Sequence, residues 1–152
     1  MRLYTLLPAV LLLSGLSLAD TTSAPVPVNS TVLNSCVFNL EGAATIVIPT
    51  YKAADVAPLS GETTVDVLCN KGTQPFTTYW ANEPDLNLAL KASNNDILNV
   101  TLGYGEDPEA PTAGFNGGDL WSYVLTATPV AGQYGASSQN DYTNTADYIV
   151  AF

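Results

Sequence analysis

Polar and apolar residues alternate with a period of two through much of the chain, and nowhere do they repeat at a helical spacing over a useful length. Thr63-Thr-Val-Asp-Val-Leu-Cys69 sets Val65, Val67 and Cys69 on one face, and Thr64, Asp66 and Leu68 on the other. Leu98, Val100 and Leu102 alternate in the same way with Asn99, Thr101 and Gly103. Asn94-Asn95-Asp96 just before them marks a turn, so the runs on either side read as a hairpin. Strands are predicted over Ser30–Phe38, Ala44–Tyr51, Glu62–Asn70, Phe76–Ala81, Asn87–Ala92, Ile97–Gly103, Leu120–Thr128 and Thr143–Phe152. Short β-branched and aromatic runs parted by Gly, Pro, Asn and Asp predict an all-β antiparallel sandwich. The last run turns Ala146, Tyr148, Val150 and Phe152 to one face, and Thr145, Asp147, Ile149 and Ala151 to the other. With Phe152 as the last residue, no later strand is expected to cover this one's edge. Such an edge is hidden, tolerated, or used to take up another chain's strand.

At the other terminus, Arg2 precedes an apolar run, and Ser17-Leu18-Ala19 has the small-x-small form of a signal-peptide cleavage site. Its core, Leu6 to Leu13, falls short of the roughly 20 residues needed to span a bilayer. Residues 1–19 are therefore read as a secretory signal peptide, residues 20–28 as an N-terminal extension and residues 29–152 as one domain. Export changes how the charge and the cysteines are read. Once Arg2 is gone, Lys52, Lys71 and Lys91 stand against fourteen acidic residues, which argues strongly against nucleic-acid binding. The apolar content is still enough to build a core, so the acidity serves solubility. An exported chain with two cysteines favours one disulfide, Cys36–Cys69, over two free thiols. No histidine exists to complete a zinc site, and the pair lacks CxxC spacing.

The stretch Gly105–Asp119 is a long acidic loop with four glycines and two prolines. Glu106, Asp107, Glu109 and Asp119 offer oxygen ligands for calcium, but no D-x-[DN]-x-[DN]-G pattern is present, and a solvated loop is the plainer reading. Tyr79, Trp80, Trp121 and Tyr123 have the chemistry of a sugar-binding surface, although on sandwich strands such rings more often fill the core. The absence of histidine removes Ser-His-Asp and Cys-His catalysis, and no G-x-S-x-G or phosphate-cradling loop occurs. Nothing selects a carboxylate pair of the glycosidase kind. The chain is therefore read as a non-enzyme without a cofactor. Asn29-Ser-Thr31 and Asn99-Val-Thr101 are sequons, relevant only in a host that glycosylates them.

The order of motifs carries a further resemblance. It runs from Val32-Leu-Asn-Ser-Cys36 through Ile48-Pro-Thr-Tyr51 and Pro58-Leu-Ser-Gly61 to Thr64-Val-Asp-Val-Leu-Cys-Asn-Lys-Gly-Thr73. It resumes at Leu98-Asn-Val-Thr-Leu-Gly-Tyr104 and Tyr123-Val-Leu-Thr-Ala-Thr-Pro-Val-Ala-Gly-Gln133, then ends with Asp141-Tyr-Thr-Asn-Thr145 and the terminal strand. In these features the chain resembles the spore coat protein U family, a secreted domain shared by bacterial coat proteins and the subunits of archaic chaperone–usher pili. The resemblance implies an incomplete immunoglobulin-like antiparallel β-sandwich whose groove is filled by a neighbouring subunit's N-terminal strand. It also implies a periplasmic chaperone and an outer-membrane usher as partners beside other subunits, with passage through the periplasm to the cell surface or beyond. On that analogy Ala146, Tyr148, Val150 and Phe152 form the groove and the chaperone-facing edge. The donor strand would be residues 20–28, with Ala24, Val26 and Val28 turned inward. Pro25 and Pro27, of the opposite parity, each remove a ladder donor. The expected function is thus a structural subunit of a surface appendage or coat. The alternative is a self-complete exported sandwich that binds carbohydrate or calcium.

Overall fold

The computed structural model describes Pro25, residues 27–39 and residues 44–152. The expected signal peptide, and Ala24 and Val26 of the expected donor, lie outside the described residues. The chain divides into two units, Met1–Thr31 and Val32–Phe152. The strands described below all lie in the second. Among the described residues no helix is long and apolar enough to cross a membrane.

Among the described residues eight strands form, and every pairing is antiparallel: β1 (Cys36–Phe38), β2 (Gly61–Cys69), β3 (Thr77–Trp80), β4 (Asn87–Lys91), β5 (Ile97–Tyr104), β6 (Thr112–Ala113), β7 (Asp119–Pro129) and β8 (Tyr148–Ala151). The larger sheet runs β1-β2-β7-β5-β4, with β6 also on β7, and the smaller one pairs β3 with β8. This is an all-β sandwich, as the alternation predicts. The registers Val65↔Tyr123, Val67↔Trp121 and Leu102↔Ala127 bring the apolar face of each strand to one side of the larger sheet. There they meet Trp80 of β3 and Tyr148 of β8. One buried cluster joins Val65, Trp80, Val100, Leu102, Leu125 and Ala127, and a second joins Val67, Cys69, Trp121 and Tyr123. Tyr148 packs against both. On the opposite face the polar residues pair across strands, as where Ser122 Oγ meets Asp66 Oδ1 at 2.6 Å.

The expected hairpin is β4–β5. Ala92 N donates to Asp96 O at 3.0 Å, and Asn95 takes the left-handed conformation (φ 69°) that asparagine tolerates in turns. Three strand expectations need correction. Of the run 30–38, only Cys36–Phe38 pairs, because Asn70 takes over the ladder: its Oδ1 accepts from Ser35 N at 2.7 Å and its own N donates to Ser35 O at 3.0 Å. The run 44–51 is not a paired strand. The run 143–152 shortens to Tyr148–Ala151 because it changes sheets. Thr143 bridges to Lys91 of the larger sheet and Tyr148 pairs with Trp80 of the smaller, so the residues between cannot keep a ladder with either. The short β6 lies inside the segment read as a loop.

Cys36 and Cys69 form the expected disulfide (S–S 2.00 Å), sitting opposite each other in the β1–β2 register. Beyond Cys69, Gly72 turns the chain at φ 82° and gives its N–H to Asp119 Oδ2 at 2.7 Å. The buried Thr73 hydroxyl then lies 2.9 Å from Asn70 Oδ1 and 3.3 Å from Asn34 Oδ1, tying both strand ends to the bridge. The bridge closes a loop spanning a sequence separation of 33. Replacing both cysteines with alanine is expected to lower the unfolding free energy by about 3–4 kcal/mol in a urea titration. A loss under about 1 kcal/mol would contradict this structural role.

Candidate functional site: an open apolar groove

A groove of about 590 Å³ lies open over the first core cluster. Val65, Val100, Leu102, Leu125 and Ala127 make its floor. One wall is the segment 44–48, which turns Ile46 and Ile48 onto the core while Val47 stays exposed. The other wall is the sheet-changing segment 142–147 together with Tyr148. Alternation built the first wall as it built the strands, since Ile46 and Ile48 share a parity. What it lacks is a neighbour. Among the described residues no backbone hydrogen bond ties 44–48 to another segment.

The β8 wall is incomplete in a similar way. Ala81 N donates to Asp147 O at 2.9 Å, which fixes the phase of the β3–β8 ladder. In an antiparallel pair the bonded positions alternate. Tyr79–Ile149 is therefore the next bonded pair, and the backbone groups of Trp80 on β3, and of Tyr148 and Val150 on β8, face outward. The Trp80 amide shows this phase directly, donating away from β8 to the Tyr104 hydroxyl at 2.9 Å. That hydroxyl in turn donates to Glu83. Tyr148 and Val150 have no such acceptor among the described residues. The apolar floor is thus bordered on one side by the segment 44–48, which makes no backbone hydrogen bond among the described residues, and on the other by residues 142–148, where the outward backbone groups of Tyr148 begin the free edge of β8.

Tyr148 is the hub of the site. Its ring centroid lies 5.5 Å from that of Trp80, 6.1 Å from Tyr123 and 6.2 Å from Tyr104, in tilted or edge-on arrangements that aromatic pairs favour. Burial holds the hydroxyls of this group in their neutral form, raising the Tyr148 pKa and pushing that of Tyr123 up to about 12. The nearby Tyr148 and the Asp107 carboxylate add to the rise at Tyr123. In the unfolded chain Tyr123 ionises near 10, so between about pH 10 and 12 the unfolded state loses a proton that the folded state keeps. Stability contributed by Tyr123 is therefore complete below pH 10 and drains away as pH rises through this window, at up to roughly 1.4 kcal/mol per pH unit. Tyr123→Phe is expected to flatten that part of an alkaline unfolding curve, and an unchanged slope would count against it.

Of the four residues expected at the groove and edge, Ala146 and Tyr148 line the groove. Val150 packs instead against the second cluster, and Phe152, 46% exposed, lies beyond the end of β8 and outside the groove lining. Of the expected donor residues only Val28 is described, and it is exposed. Trp80, Trp121 and Tyr123 are buried in the core. Within the acidic loop Asp119 accepts from Gly72, while Glu106, Asp107 and Glu109 are exposed. Asp107 borders a cavity of about 220 Å³ beside Trp121, whose Nε1 is buried without a hydrogen-bond partner among the described residues. No group of three or more His, Cys, Asp or Glu that could hold a metal comes together among the described residues. The wall formed by Ile46 and Ile48 was missed as part of a site, although its period-two pattern was visible. Comparison with family models, curated proteins and solved structures finds no match to the chain.

Proposed function

We propose that this chain is an exported structural subunit of a bacterial surface appendage or coat, and that its groove takes up an extended segment from a second copy or a related subunit. The observation that carries this reading is the open groove, where an apolar floor lies between the segment 44–48 and residues 142–148, beside the free edge of β8. A strand laid there completes two ladders and covers the floor with its inward side chains, main-chain bonds supplying affinity and alternate side chains specificity. The occupant proposed is residues 20–28 of another copy. Ala24, Val26 and Val28 have the parity and size for a floor of Val, Leu and Ala, and the exposure of Val28 leaves it free to be buried on capture. A chaperone that shields the groove in the periplasm, and an usher that exchanges it for the donor, belong to the same proposal. The disulfide suits the oxidising compartment that export requires.

The carbohydrate or calcium reading gains less. Three of the four aromatic rings named for it are core residues, and no metal-binding group assembles among the described residues. The test of the leading reading is the oligomeric state of mature protein with and without residues 20–28. Multimers that vanish on deletion support strand donation, and multimers that persist contradict it.

A further inference from the structure

The wall at 44–48 needs something other than a ladder to hold it, and two contacts supply that. The first is Gly61, at the start of β2, where it pairs with Ala127. A Cβ at Gly61 would clash with Val47 O, and would lie 2.7 Å from Val47 C and 2.9 Å from Ile48 Cα, all of them backbone atoms that cannot swing aside. Gly61 is not among the glycines with positive φ, so the need for glycine here is close approach rather than conformation. The second contact is a latch at the far end of the wall. Gln133 N donates to the Tyr51 hydroxyl at 2.8 Å. Gln133 is itself fixed: its Oε1 accepts from Asn99 N at 2.7 Å, and its Nε2 donates to Asn99 O at 2.9 Å and Val130 O at 2.7 Å. The side-chain amide thus continues the β5–β7 ladder past Val100↔Pro129 and anchors the latch to the larger sheet.

We infer that Gly61 and the Tyr51–Gln133 latch are positioning residues for strand capture. They hold the wall where one added strand fits between it and β8, and so keep the groove from closing over its own floor. This rests on the strand-accepting reading above. The geometry sets how sensitive the device is. An added strand needs about 4.8 Å on each side, and N–H···O bonds tolerate only about 2.7–3.2 Å. A methyl group at Gly61 must push the wall by several tenths of an ångström or more, which uses up that tolerance over several bonds at once.

The test measures binding of a synthetic peptide of residues 20–28 to protein lacking those residues, in three backgrounds: unaltered, Gly61→Ala and Tyr51→Phe. The expected result is at least tenfold weaker binding for Gly61→Ala and roughly fivefold for Tyr51→Phe, the loss of one neutral hydrogen bond. The double variant should fall short of the product, because both changes release one wall. Thermal midpoints should move little in Tyr51→Phe, which keeps the core intact and covers the case in which Gly61→Ala fails to fold. Equal affinity in Tyr51→Phe and in folded Gly61→Ala would overturn the positioning role while leaving the strand-accepting reading in place. No binding to the unaltered groove would bring down both.

Discussion

Deleting residues 20–28 is expected to leave a folded monomer, whereas the intact protein is expected to form multimers. The sandwich should survive because, among the described residues, every buried core residue and both partners of the disulfide come from position 36 onward. The multimers should not, because the groove loses its donor. Fully burying the two valines of the donor is worth about 1.5–3 kcal/mol each before the entropy of ordering the segment is subtracted. The ladder bonds beside β8 add a net contribution of about 1 kcal/mol each, less at Pro25 and Pro27, which keep a carbonyl but have no N–H. Supplying the 20–28 peptide in trans at a hundredfold over its dissociation constant should stabilise the shortened monomer by about 2.7 kcal/mol, which raises its thermal midpoint by roughly 10 °C. Size-exclusion chromatography and a melting curve read both effects. Unchanged multimers after deletion would be the damaging outcome.

Tyr148→Ala is expected to be the most destructive single change in the site, with a loss of about 3 kcal/mol in unfolding free energy. The ring is only partly buried, which keeps the figure at the low end for an aromatic-to-alanine change, but it touches Trp80, Tyr104 and Tyr123 and packs against both core clusters. Removing it opens the floor of the groove into the space between the clusters, so peptide capture should fail together with stability. Tyr148→Phe keeps the packing and should cost less than about 1 kcal/mol. A Phe variant as damaged as the Ala variant would shift the role from the ring to the hydroxyl.

The strands most legible in the sequence were those whose two faces meet different surroundings. β2, β5 and β7 fall within a residue of their expected bounds, because a buried face and a more solvated face impose alternation, and the shorter β3 and β4 also lie within a residue of theirs. The run 44–51 alternates just as well, with Ile46 and Ile48 on the core and Val47 exposed, yet pairing depends on a neighbour distant in sequence, and local pattern does not supply one. The terminal run misled for a related reason: Thr143 and Tyr148 answer to different sheets, and no periodicity marks the crossing. Phe152 continues the parity of Tyr148 and Val150 but lies past the ladder's end and outside the groove lining, a boundary that parity alone does not mark. The device at Gly61 was beyond reach from sequence, since a glycine needed for close approach looks the same as one in a turn. Gln133 stood in plain view beside the Gly132 turn, but its bonds to Asn99, Val130 and Tyr51 join segments far apart in the chain.

The central claim is that the backbone groups of Tyr148 and Val150 wait for a strand, and residue-resolved amide hydrogen exchange tests it most directly. In protein lacking residues 20–28, the Tyr148 and Val150 amides should exchange fast, while that of Ile149, bonded toward Tyr79, stays protected. Adding the 20–28 peptide should slow Tyr148 and Val150 by tenfold or more and leave Ile149 nearly unchanged. Protection at Tyr148 and Val150 that is the same with and without the peptide would contradict the account.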